Sequence, residues 1–162
     1  MILNLPFFGD LNSESLQDYY DKDVIFGSAK IQLDLNFYET SIDEDKLSIL
    51  KQYLNDLEKV VELAKKEINS DFKGGENVVE FLEHHIDVLD ETELEAIIDT
   101  KDKSLSVEQR LLSALKLMRI GFYPEDDDFA IFDFTLGEEI SQYLLVVKFN
   151  NQMQLQEITM ES

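Results

Sequence analysis

Between residues 43 and 69, apolar side chains recur in steps of three and four: Leu47, Leu50, Leu54, Leu57, Val61, Ala64 and Ile68. That spacing places them on one face of a helix and predicts a single long helix from Asp43 to Asn69. Ile49, Tyr53, Val60 and Leu63 widen the stripe beyond a two-per-heptad seam, so the expected partner is a broad apolar surface and not a second helix in a zipper. Glu58, Glu62 and Lys66 fall on the opposite face and are expected to be wet.

The period changes to two on either side of this segment. From Lys30 to Tyr38, Ile31, Leu33, Leu35 and Phe37 alternate with Gln32, Asp34 and Asn36, a strand with one buried and one wet face. Tyr19 to Phe26 reads as its hairpin partner. Gly27-Ser28 suits a type II′ turn, which pairs Phe26 with Ala29, Val24 with Ile31 and Tyr20 with Leu35. Leu3, Leu5 and Phe7 suggest a short first strand with Pro6 at an edge or bend, followed by a turn at Gly9-Asp10. Near the other end, strands are predicted at Leu117–Tyr123, Phe129–Leu136, Gln142–Phe149 and Met153–Thr159. The last two are expected to be joined by a three-residue loop that pairs Phe149 with Met153 and Val147 with Leu155.

Three helix starts carry cap signals. Ser41 with Glu44, Thr92 with Glu95, and Ser106 with Gln109 have capping-box spacing. A second helix, about Asn77 to Leu89, carries Val78, Leu82, His85, Ile86 and Leu89 on its inner face. A short third helix carries Leu94, Ile97 and Ile98. A polar loop, Thr100 to Ser104, precedes a fourth helix with Val107, Leu111, Ala114, Leu115 and Met118 inward. Strands from both ends around a helical block predict one α+β domain over residues 1–162. The expected form is a mostly antiparallel sheet of about six to seven strands, with one long helix and two to three shorter ones on its apolar face.

Composition narrows the function classes. The chain has 162 residues and no cysteine, which removes disulfides, thiolate metal sites and a Cys nucleophile. No apolar run is long enough to span a bilayer and the first residues lack signal-peptide character, so a cytoplasmic location is expected. Charge is the unusual property: 35 acids against 14 bases, a formal net charge of -21. Such a field repels nucleic acid and anionic membranes and favours encounter with a basic protein. Residues 43–99 hold seventeen acids and six bases, so the helical block concentrates it.

Candidate chemistry is sparse. His84 and His85 are the only histidines, and adjacent helical residues point about 100° apart, so the pair is not a zinc-protease motif and no metal is assigned to it. His85 belongs to the apolar stripe, where a ring bonded to a backbone carbonyl or a carboxylate is expected. Arg119 stands in an apolar strand, and a hairpin centred on Asp126 places it across from Asp133, predicting a cross-strand ion pair. Glu125, Asp126, Asp127 and Asp128 form an acidic turn that lacks the calcium-loop pattern; it reads as a solvated turn or as a docking point for a partner's Lys or Arg. No phosphate-binding Gly loop or nucleophile elbow is present, and no cofactor is implied.

His84-His85 after an acidic helix, Leu117-Met118-Arg119-Ile120-Gly121-Phe122-Tyr123-Pro124, Phe132-Asp133-Phe134-Thr135 and the ending Ile158-Thr159-Met160-Glu161-Ser162 resemble an uncharacterised bacterial family, the domain of unknown function numbered two thousand and four. The likeness spans nearly the whole chain and brings no established activity with it. By analogy with small acidic bacterial proteins, it suggests an immunity-like role toward a toxin. Two functions are therefore expected to compete. One is a non-enzymatic acidic interaction protein that holds a basic partner. The other is a small-molecule binder or enzyme with a pocket around His84, Arg119 and Asp133.

Overall fold

The computed structural model describes residues 1–98 and 103–162. Of the predicted polar loop, residues 100–102 lie outside that range. The chain forms a mixed six-stranded sheet, β3 (Tyr19–Phe26), β4 (Ala29–Asn36), β5 (Lys116–Phe122), β6 (Ala130–Thr135), β7 (Leu144–Phe149) and β8 (Leu155–Glu161), arranged in chain order. A separate hairpin pairs β1 (Ile2–Leu5) with β2 (Gly9–Asn12). Five helices are described between β4 and β5: α1 (Glu44–Asn55), α2 (Leu57–Gly74), α3 (Asn77–Val88), α4 (Glu91–Ile97) and α5 (Val107–Ala114). The architecture is α+β, with sheet strands drawn from both ends of the chain.

The β3–β4 hairpin has the expected register throughout, and Gly27 takes the positive φ of 66° that its turn needs. The β5–β6 hairpin places Arg119 opposite Asp133 and closes with the Tyr123 N–H on the Phe129 carbonyl at 2.8 Å. The sheet is not wholly antiparallel, however. β4 and β5 run parallel, Leu33 beside Ile120, because the whole helical block lies between them and returns the chain to the same end of the sheet.

The predicted long helix is two helices. Asp56, with φ -102° and ψ 25°, ends α1 and begins α2. Asn55 and Asp56 are weak helix formers, and this bridge-region conformation breaks the ladder there. The apolar stripe nevertheless runs through the break: Leu47, Leu50, Leu54, Leu57, Val61, Ala64 and Ile68 are each at most 4% exposed, which removes the zipper alternative. They meet Leu33, Leu35, Ile120, Phe122, Phe132 and Phe149 of the sheet in one core.

Other departures have local causes. Helix α1 starts at Glu44 with no side-chain cap, because the Ser41 segment is held extended by the Ile42 N–H on the Ser13 carbonyl and the Leu16 N–H on the Thr40 carbonyl. Helix α4 uses the capping box two residues earlier, Asp90 with Glu93, in place of Thr92 with Glu95. The Ser106–Gln109 box forms as expected. Helix α5 stops at Ala114, so Met118 lies on β5 at a register shift instead of on a helix face. Gly9-Asp10 opens β2, and the turn falls at residues 6–8. In the last hairpin, Val147 pairs with Ile158 and Phe149 with Leu155. The Asn150 side chain accepts from the Gln152 and Gln154 N–H groups, which widens the loop and takes Met153 out of the strand. This register buries both Val147 and Ile158 and leaves Leu155 at the surface.

Candidate functional site

Alternation along the strands sends Ile120, Phe122, Phe132 and Phe134 to the core and Arg119 and Asp133 to the opposite, helix-free face of the sheet. Arg119 there clasps two acids. Its Nε and Nη2 donate to the two oxygens of Asp34, at 2.6 and 2.7 Å, and Nη1 donates to Asp133 at 3.1 Å. Nη2 also donates to the Tyr123 hydroxyl at 2.8 Å, and Asn36 donates to Asp34 at 2.7 Å. Four bonds to a guanidinium with five N–H donors leave little capacity for a ligand. Burial opposes the charge of Arg119, but its bonds to Asp34 and Tyr123 and the Asp34 charge outweigh that, so it stays protonated. Burial raises the Asp133 carboxyl above its ordinary range, against the pull of Arg119.

Gly121 makes this clasp fit. A Cβ there would lie 2.8 Å from the Arg119 Cζ and 3.0 Å from Asp34 Oδ1, so the guanidinium lies where a side chain would stand. Gly121→Ala is expected to cost about 2 kcal/mol by urea unfolding, through the displaced ion pair. In an Arg119→Met background the same change should cost clearly less. Equal costs in both backgrounds would mean that Gly121 serves something other than the guanidinium.

The histidines lie on the helical side of the sheet. His85 is fully buried; its Nδ1 donates to the Phe81 carbonyl at 2.8 Å and its Nε2 lies 2.7 Å from the Ser141 hydroxyl. Ser141 Oγ in turn accepts the Tyr143 N–H at 3.1 Å. The ring and hydroxyl are thus spent in tying α3 to the β6–β7 loop. His84 packs edge-on against the Tyr143 ring, with its Nε2 buried and without a hydrogen-bond partner. Arg119 and Asp133 therefore share a cluster, while His84 stands across the sheet from it, and no single pocket holds all three. Among the described residues, no group of three or more His, Asp or Glu is arranged to hold a metal ion.

Burial lowers the His85 pKa from 6.5, so the fold prefers the neutral ring. The unfolded chain therefore binds the proton more readily, and this contribution to stability is present above pH 6.5 and is lost as pH falls below it. Stability of the wild type relative to His85→Gln should therefore decline on acidification, as read by urea midpoints. A constant difference across that range would exclude the effect.

The acidic turn is partly engaged. Glu125 accepts the Tyr38 N–H at 2.7 Å, and Asp126 accepts the Tyr38 hydroxyl, whose pKa this bond pushes up to about 12. Asp126 and Asp127 stay exposed beside Asn150 and Gln152 around a hollow of about 280 Å³. Asp128 is half-buried.

A larger concavity lies where the sequence showed no motif. A groove of about 710 Å³ runs between the β3–β4 hairpin tip, the β1–β2 turn and the α1–α2 break, lined by Phe7, Ile25, Phe26, Asp56, Glu58 and Glu62 among others. A second, of about 420 Å³, adjoins it through Asp56, Lys59 and Glu62 and ends at Met153. Phe7, at φ 71°, and Met153, at φ 57°, are the two described non-glycine residues with positive φ. That conformation costs roughly 1–2 kcal/mol for a residue with a Cβ. Sequence reasoning missed both residues, along with Asp34, Tyr123 and Ser141. Asp34 was accessible in principle as the one acid on the strand face that the alternation assigns to solvent, although the Arg119 guanidinium covers it and leaves it 0% exposed, and Tyr123 through its even spacing from Arg119. For Phe7, Met153 and Ser141 the chain offers no signal. No protein-family model, curated protein or solved structure matches the chain.

Proposed function

We propose that this protein is a non-enzymatic, cytoplasmic interaction protein that holds a basic protein partner through its acidic surface. It is immunity-like in that it acts by occupying its partner and not by turning over a substrate, and membership of the family it resembles belongs to the same proposal. The observation that carries this reading is where the acids lie. Among the described residues, ion pairs engage six acids, Asp23, Asp34, Glu62, Asp133, Glu157 and Glu161. Exposed acids such as Glu58, Glu76 and Glu80 project from the helical layer, so most of the charge of -21 acts outward. The polar clusters that a catalytic reading needs are bonded within the fold: Arg119 to Asp34 and Asp133, His85 to Phe81 and Ser141. No described helix is long and apolar enough to cross a membrane.

The test is capture from a lysate of the source organism at low and high salt. The expected result is a basic protein retained in near-stoichiometric amount at low salt and released at high salt. Retention of no basic protein under either condition would remove the reading.

A further inference from the structure

We infer that the paired grooves at the α1–α2 break form the docking site for an amphipathic, Lys/Arg-rich segment of that partner, an inference that rests on the reading above. Three independent features meet there. The first is an apolar lining that the fold leaves uncovered: Phe7 is 45% exposed and Ile25 72%, above a floor that includes Leu54 and Leu57. The second is charge. Asp56, Glu58 and Glu62 line the larger groove against one base, Lys59, and the smaller groove adds one more base, Lys66, so acids exceed bases by three to two over the pair. Of these acids only Glu62 has an ion pair, a loose one with Lys65 at 3.6 Å between exposed side chains.

The third feature is strain. Phe7 lines the larger groove and Met153 the smaller one, so both left-handed non-glycine residues described in the fold face this surface. Phe7 stands in the three-residue connection between β1 and β2, where Gly or Asn would adopt the same φ with less strain. Turn geometry therefore does not account for phenylalanine, whereas an aromatic anchor held out over a groove does. A purely basic ligand would leave these apolar side chains unused, and a purely apolar one would leave the acids unpaired. A helix or extended segment that alternates apolar and basic residues satisfies both.

The experiment uses fluorescence anisotropy with two labelled peptides of equal positive charge, one an amphipathic Leu/Lys helix former and one containing only Lys and Ser. Three variants accompany the wild type. Phe7→Gly removes the anchor and relieves the turn. Glu58→Lys with Glu62→Lys reverses the groove rim. Glu83→Lys with Asp87→Lys makes the same charge change on exposed positions of α3, outside either groove. At about 0.15 M salt the wild type should bind the amphipathic peptide about tenfold more tightly than the polar one. Phe7→Gly should lose about that tenfold while its thermal midpoint stays level or rises, and the rim variant should lose about tenfold where the α3 variant loses less than about twofold. Equal affinity for the two peptides, or equal loss from the rim and α3 variants, would overturn the groove while leaving the acidic-interaction reading in place. Binding of neither peptide at low salt would overturn both.

Discussion

Arg119→Met is expected to cost about 3–5 kcal/mol of folding stability, the range for removing one partner of a buried ion pair. Asp34 is 0% exposed and receives two of its bonds from this guanidinium. Methionine keeps a cover over the carboxylate but offers no donor, so a negative charge stays dry with Asn36 as its remaining close partner. Arg119→Ala should cost less than Arg119→Met, although it removes more atoms, because the vacated space lets water reach Asp34. Adding Asp34→Asn to Arg119→Met should restore a large part of the loss by removing the stranded charge. Urea unfolding of the three variants gives the ordering. If alanine proves worse than methionine, the clasp acts through packing and not through charge.

Tyr53→Ala is expected to cost a similar amount, about 3–5 kcal/mol, in the manner of other buried aromatic truncations. Tyr53 is 0% exposed, stacks on Phe129 with ring centroids 5.4 Å apart, and meets Phe122 edge-on at 5.7 Å. Its hydroxyl donates to the Asn150 carbonyl at 2.5 Å, and burial raises its pKa well above the usual phenol range. One side chain of α1 thus holds the β5–β6 and β7–β8 connections together. Tyr53→Phe keeps the rings and loses one hydrogen bond, so about 1 kcal/mol is expected. Denaturant unfolding separates the two, and equal costs would place the whole contribution in the hydroxyl. Because Asn150 begins the loop that carries Met153, Tyr53→Phe should also weaken amphipathic-peptide binding more than its small stability cost explains.

The candidate site was only partly legible in the chain. The ion pair of Arg119 with Asp133 was readable because it depends on a hairpin whose turn, at Asp126, is marked by Pro124 and a run of acids. The third member, Asp34, is 85 residues away from Arg119 and joins it through a parallel pairing. No local pattern reports which strands become neighbours after a helical crossover of this length. The same limit explains His84, which shares polar character with Arg119 in the sequence but lies across the sheet from it. The acidic turn was legible as a turn, while its bonds to Tyr38 required the end of β4 to arrive beside it.

The periodic elements, and the faces on which their apolar side chains lie, are properties of the chain alone. Period two in Lys30–Tyr38 and period three to four in Leu47–Ile68 each follow from how side chains project from a strand and a helix, and burial then has one solution per element. The register of the β3–β4 hairpin, and of β5–β6 from Arg119 to Phe122, follows too, because a slip of one residue there would turn the apolar set outward; the shift at Met118 does not. The break at Asp56, the parallel contact of β4 with β5, the register of β7 with β8, and the meeting of Phe7, Ile25, Asp56 and Met153 around one pair of grooves arise in the assembled fold. These depend on backbone conformations and long-range packing whose energies differ by a few kcal/mol between alternatives. The local pattern of apolar and polar residues is the same for each alternative, so it does not choose among them.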